Sequence, residues 1–125
     1  MKILVVDDEA DVQPLFTQCF RKEIRDQEFE FDFANSGEQA MEYLKEKSSE
    51  VVLILSDINM PGMSGIDLLW QIRHDYENTP PLVMMITAYG DEENCRQAME
   101  NGAKEFLTKP LDFNLLKAKI KHLYH

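Results

Sequence analysis

Five short apolar runs, rich in branched and aromatic side chains, recur along the chain at near-even spacing: Ile3 to Val6, Phe29 to Phe33, Val51 to Leu55, Leu82 to Ile86 and Lys104 to Leu107. Runs of this length and composition predict strands. Between them the apolar positions recur at helical spacing. The first intervening segment sets Val12, Leu15, Phe16, Cys19 and Phe20 on one face, and the fourth sets Cys95, Ala98, Met99 and Gly102 likewise. Five helices are predicted. Their starts carry capping residues: Ser36 with Gln39 three residues on, Ser64 with Asp67, Asp91 before the fourth helix and Asp112 before the fifth.

The runs Val51 to Leu55 and Leu82 to Ile86 are apolar throughout, as strands covered on both faces must be. Phe29-Glu30-Phe31-Asp32-Phe33 alternates instead, which places one of its faces in water and the strand at a sheet edge. Strict alternation of strand and helix then predicts an α/β fold: a doubly wound, five-stranded parallel sheet of order 2-1-3-4-5 with five helices. A chain of 125 residues suits one such unit, so a single domain over residues 1–125 is expected, without repeat or linker.

Composition narrows the function. Thirteen basic and 23 acidic side chains leave a net charge of −10, which repels nucleic acid and membrane phosphates and favours cations or basic protein surfaces. Direct nucleic-acid and membrane contacts are not expected. Cys19 and Cys95 stand apart without metal-ligand spacing and are read as buried thiols. With no leader pattern and no apolar stretch near the roughly 20 residues of a membrane helix, a cytoplasmic setting is expected. Trp70 and the seven methionines are read as packing residues, and His74, His122 and His125 have no partners that would make them ligands.

In an open parallel sheet, ligands bind beyond the carboxyl ends of the strands where the strand order reverses, here between strands one and three. Strand one ends in Asp7, Asp8 and Glu9, and strand three ends in Asp57. Two carboxylates about 4 Å apart repel by roughly 4 kcal/mol at an effective dielectric near 20, so the cluster calls for a counter-charge. Oxygen donors without Cys or His point to Mg2+ rather than zinc. Strands four and five end in Thr87 and Lys109, which bring a hydroxyl and an ammonium to the same crevice. A carboxylate nucleophile flanked by Mg2+, a hydroxyl and a lysine is a phosphoryl-transfer constellation, with Asp57 the nucleophile candidate. Asp8 and Asp11 also suit the cap of the first helix, and the two roles are compatible.

Asp7-Asp8, the stretch Ser56-Asp57-Ile58-Asn59-Met60-Pro61-Gly62-Met63-Ser64-Gly65, Ile86-Thr87-Ala88 and Lys109-Pro110 together resemble the response-regulator receiver family of two-component signalling, CheY-like and flavodoxin-like in fold, from Met1 to about Tyr124. The resemblance implies Asp57 as phosphoacceptor, Asp7, Asp8, Asp57 and the backbone carbonyl of Asn59 as metal ligands, Thr87 as switch hydroxyl and Lys109 as phosphoryl-binding cation. It also implies a cis Lys109-Pro110 peptide, an isomer found in only about 5–6% of X-Pro bonds. Phe106 falls at the family's switch aromatic but has no hydroxyl, which leaves ring packing as the readout. Asn59 and Tyr89 stand at positions that tune how long the acyl phosphate lasts, and the small Ala88 leaves the phosphoryl group open to a donor.

The function implied is phosphoryl transfer from a sensor histidine kinase or phosphotransfer protein onto Asp57. The surface of the fourth helix, fifth strand and fifth helix would then switch to control an unknown effector protein or output domain. Such a chain is not an enzyme in its own right, although it assists its own phosphorylation and dephosphorylation. A haloacid-dehalogenase-like phosphatase is the alternative enzyme, but its nucleophile sits on the first strand with a second aspartate two residues on, where this chain has strand three and Asn59. A docking module that is never phosphorylated is disfavoured by the complete set of site residues. The fifth helix carries Lys117, Lys119 and Lys121 rather than the arginine of the family's dimeric transcription factors, which weakens that mode of assembly.

Overall fold

The computed structural model describes every residue except Thr79, Tyr89, Tyr124 and His125, so the readings of Tyr89 and His125 lie outside the described residues. Five strands form, β1 (Lys2–Val6), β2 (Glu30–Ala34), β3 (Val51–Asp57), β4 (Leu82–Thr87) and β5 (Glu105–Thr108). They pair in parallel in the order β2-β1-β3-β4-β5. The predicted sheet is the observed one. Alternation along each strand sorts the apolar side chains into two cores. Ile3, Val5, Leu53, Leu55, Met84 and Ile86 face one side, and Leu4, Val6, Ile54, Val83 and Met85 face the other.

Among the described residues there are six helices: α1 (Val12–Cys19), α2 (Arg21–Arg25), α3 (Gly37–Lys47), α4 (Gly65–Asp75), α5 (Glu92–Glu100) and α6 (Phe113–Leu123). Phe16 of α1, Phe20 between α1 and α2, and Leu116 and Ile120 of α6 join the first core, with Ile24 of α2 packed against it; α3, α4 and α5 supply Leu44, Leu68, Ile72 and Ala98 to the second. The first of five predicted helices is in two pieces because Phe20 leaves helical geometry at φ −105° and ψ 20°. Its ring turns inward against Phe16, Phe29, Phe31 and Phe113. Lys117 of α6 donates from Nζ to the Cys19 carbonyl at 3.2 Å, lies 5.2 Å from the Phe20 ring centre and pairs with Glu23 at 3.3 Å. A side chain from the far end of the sequence thus takes over a carbonyl at the break, as helix ends require.

Several local expectations are corrected. Ser36 and Ser64 cap α3 and α4, Ser64 in a reciprocal box with Asp67, and Asp112 accepts from the backbone N–H groups of Asn114 and Leu115. Asp91 makes no such bond and accepts from the Asn94 amide, and Asp11 caps no backbone N–H of α1. Trp70 is not core: it is 50% exposed and stacks on His74 one turn along the outer face of α4. Leu15 and Met99 are also exposed, on the rims of α1 and α5, and both cysteines are only half-buried. Val52 faces solvent because the register slips where Lys2 pairs with Val51 and Ile3 with Leu53.

Glu23 is buried, and Lys117 and Lys121 are its ion-pair partners at 3.3 and 3.9 Å. Removing the nearer ammonium strands a buried carboxylate. Lys117→Met is expected to lower the unfolding free energy by roughly 3 kcal/mol, with part recovered in the double variant Lys117→Met, Glu23→Gln. Urea unfolding measures both.

Candidate functional site

The carboxyl ends of β1, β3, β4 and β5 bring Asp7, Asp57, Thr87 and Lys109 to one end of the sheet. Asp57 is the last residue of β3 and only 4% exposed. Its Oδ2 accepts from Lys109 Nζ at 2.8 Å, and its Oδ1 accepts from the Asn59 N–H at 3.1 Å. Lys109 also lies 3.7 Å from Asp7 and 3.6 Å from Glu9. The peptide that follows Lys109 is cis. Asp7, itself buried, accepts from the Glu9 N–H at 2.9 Å, while Asp8 is exposed at the mouth. Oxygens of Asp7, Asp8 and Asp57 lie within 4.8 Å of one another, so this cluster could hold a metal ion. The donors are all carboxylate oxygens, which fits a hard divalent cation.

The electrostatics follow from burial. Desolvation raises the Asp7 pKa, and the Asp57 and Glu9 charges push the same way against the Glu9 N–H and Lys109. Burial alone would lower Lys109, but the hydrogen bond and charge of Asp57, with Asp7 and Glu9, outweigh it and hold the ammonium above the ordinary lysine value. Lys109 is thus a permanent cation among three acids. Its single charge cannot neutralise them all.

The backbone around Asp57 is held from below by Gly65. A methyl group there would stand 2.3 Å from the Asp57 carbonyl oxygen, and the Gly65 N–H donates to Ile58 O at 2.8 Å. Only glycine lets the start of α4 sit against the strand end this closely. Glu38 of α3 reaches the same loop, accepting from the Met63 N–H at 3.4 Å. Sequence reasoning placed Glu9 in the acidic cluster but gave no site role to Gly65 or Glu38. For Gly65 the signal was its place in the turn-rich stretch after Asp57; for Glu38 it was absent.

Thr87 is fully buried, and its hydroxyl makes no hydrogen bond of normal geometry among the described residues. The Cys95 thiol of α5 lies against it. Burial raises the pKa of that thiol, the Thr87 contact offsets part of the rise, and Asp91 and Glu92 add to it. Phe106, on the edge strand β5, is 37% exposed. Beside the site, between α1 and the β5–α6 loop, an open cleft of about 360 Å³ is lined by Val12, Leu15, Phe16, Pro110, Leu111 and Phe113, with Asp7 and Lys109 at its inner end.

Residues 3–121 match the model of the response regulator receiver domain. The chain belongs to this family. Response regulator RppA of Synechocystis sp. is 32% identical over 98% of the chain and 50% of its own length. Receiver folds align closely as well. The CheY of a CheX–CheY–BeF3–Mg2+ complex from Borrelia burgdorferi has a TM-score of 0.86 and 31% identity over 100% of this chain and 90% of that one. The complex of the Saccharomyces cerevisiae histidine phosphotransfer protein Ypd1 with the receiver domain of Ssk1 matches with a TM-score of 0.84 and 26% identity, covering 97% and 86% of the two chains. The receiver spans half or less of the curated relatives it matches. Among the described residues no helix is long and apolar enough to cross a membrane.

The raised pKa of Asp7 has a stability consequence. A carboxyl whose folded pKa lies above its unfolded value contributes its full stability below the ordinary carboxylate range and loses it as pH rises through the folded value. At neutral pH the Asp7 charge therefore works against the fold when no cation is bound. Asn keeps the acceptor for the Glu9 N–H and removes the charge. Asp7→Asn is expected to raise the melting temperature by a few degrees at pH 7 in chelator, with the gain shrinking towards pH 4. A fall at pH 7 would contradict this reading.

Proposed function

We propose that this receiver takes a phosphoryl group onto Asp57 from a phosphohistidine donor, in a Mg2+-dependent reaction, and passes the change to a partner through α5, β5 and α6. The observation that carries the reading is the setting of Asp57: a buried carboxylate at a strand end, bonded to Lys109 and Asn59, within one cation's reach of Asp7 and Asp8. Asp7, Asp8, Asp57 and the Asn59 carbonyl would hold Mg2+, which supplies charge neutralisation on the phosphoryl oxygens. A carboxylate oxygen of Asp57 attacks phosphorus, the N–P bond to the imidazole breaks as the O–P bond forms, and the imidazole leaves with the bonding pair. Lys109 moves its hydrogen bond from the carboxylate to a phosphoryl oxygen. This remains a single transfer rather than an enzymatic cycle on a free substrate.

The readout follows from what Thr87 lacks. A buried hydroxyl without a partner costs about 1–3 kcal/mol, and a phosphoryl oxygen at Asp57 offers the missing acceptor. Thr87 turning towards that oxygen vacates space at β4, and the half-exposed Phe106 ring fills it. The exposed Met99 and Phe106 then present a changed apolar surface to a partner protein. The setting proposed is cytoplasmic, with a single receiver over residues 1–125.

The apolar cleft beside Lys109 supports a docking place for the donor. A helix laid across Leu15, Leu111 and Phe113 would bring a histidine to the carboxylates, and a related receiver has been solved with a histidine phosphotransfer protein. Burying a leucine side chain is worth roughly 1.5–3 kcal/mol, so Leu15→Asp is expected to slow transfer from a phosphohistidine donor about tenfold or more. Its reaction with acetyl phosphate, which needs no docking, should match the wild type. Equal slowing of both reactions would place the defect in the site instead.

The central reading is tested by intact mass and amide spectra with Mg2+ and acetyl phosphate or beryllofluoride. The wild type is expected to gain one phosphoryl mass and to shift resonances around Asp57, Thr87 and Phe106, and Asp57→Asn to do neither. Sustained turnover of small phosphate esters, or an unchanged wild type, would reject it.

A further inference from the structure

The far edge of the sheet carries a second surface, independent of the carboxylate site. The N–H of Glu30 donates to Met1 O and that of Asp7 donates to Ala34 O, so Glu30, Asp32 and Ala34 direct their backbone groups at β1. Phe31 and Phe33 between them direct theirs outward. Among the described residues nothing bonds these outward groups. Natural edge strands are commonly guarded by a lysine, a proline, a bulge or a covering segment. Here the two edge-facing residues are phenylalanines, and alongside them lies an open groove of about 760 Å³, bounded by Gln13, Thr17, Ile24 and Gln27.

The two faces of the strand differ in a way that defines an occupant. Phe31 and Phe33 turn their rings towards Phe16 on the α1 side. On the other side Glu30, Asp32 and Glu50 converge on the single ammonium of Lys2 at 3.6, 3.8 and 3.6 Å. Lys47 reaches Glu50 alone at 3.6 Å, which leaves Glu30 and Asp32 sharing one cation. The Tyr43 hydroxyl donates to Asp32. Burial first, then that hydrogen bond and the nearby charges of Asp32, Glu50 and Glu30, raise its pKa.

We propose that the free edge of β2 accepts an extended segment of a partner protein that alternates apolar and basic residues. Its backbone would pair with Phe31 and Phe33. Its apolar side chains would extend the phenylalanine face into the groove, and its Lys or Arg side chains would complete the neutralisation of Glu30 and Asp32. A second copy of this chain fits poorly. Antiparallel self-pairing that engages both phenylalanines sets Asp32 directly opposite its own counterpart, and like charges in that position destabilise a strand pair.

The test uses the intact protein with a capped seven-residue peptide alternating valine and lysine, and the same peptide with glutamate in place of lysine. The lysine peptide is expected to slow amide exchange at Phe31 and Phe33 at least tenfold at saturation, and the glutamate peptide to leave it unchanged. Glu30→Gln and Asp32→Asn should each weaken binding about five-fold, the scale of a partly exposed ion pair. N-methylation of alternate peptide residues should abolish binding in one phase and spare it in the other, since one backbone edge alone meets β2. Equal binding of both peptides, equal tolerance of both methylation phases, or absence of protection at Phe31 and Phe33 would overturn the proposal. So would a concentration-dependent dimer that protects these amides without peptide, which would make the occupant a second copy.

Discussion

Everything at the carboxyl end of this sheet is arranged around a shortage of positive charge. Asp7, Asp8 and Asp57 bring oxygens within 4.8 Å of one another, two of the residues are buried, and Lys109 is the ammonium in contact with them. A cluster of this kind is held together by the fold rather than holding the fold together. The backbone bonds of four parallel strand ends, and the two cores beneath them, bear the cost of keeping the carboxylates close. Under the proposed reading, that repulsion would favour a bound cation, and with it a phosphoryl group.

Rigidity below the site serves that arrangement. Period-two alternation divides the strands' apolar residues between two helical layers, so β1, β3 and β4 are clamped from both sides. Gly65 lets the first turn of α4 bear directly on the Asp57 carbonyl, which ties the strand end to a capped helix start. On the opposite layer, Lys117 joins the end of α1, the buried Glu23 of α2 and α6 into one unit. The parts proposed to move lie elsewhere. Thr87 with its unanswered hydroxyl and the half-exposed Phe106 are the groups around the site whose present positions leave something unsatisfied.

The molecule then has three surfaces of differing character. An apolar cleft opens beside the carboxylates, an exposed face carries Met99 and Phe106, and an acidic, aromatic strand edge lies at β2. They sit on separate elements. Under the proposed readings a donor, a reader and an extended segment would therefore engage separate patches, on a chain whose net charge is −10.

The sequence by itself determined the sheet, its order and the set of polar residues at its carboxyl end. Alternation and strand spacing are local properties, and in a parallel sheet every strand's last residue arrives at the same end. Asp7, Asp57, Thr87 and Lys109 could be read as neighbours for that reason alone. Tertiary structure decided what depends on contacts between distant segments. The break at Phe20 meets Lys117, 97 positions away; the role of Gly65 needs the approach of α4 to a carbonyl eight positions earlier; Leu15 lies outside the core because helical spacing marks a face without saying how wide a neighbour covers it, and Trp70 because residue type alone does not say which side of α4 it takes. Cys95 against Thr87, and Glu38 against the loop after Asp57, belong to the same class. Periodicity fixes which way a side chain points, and only packing fixes what it meets.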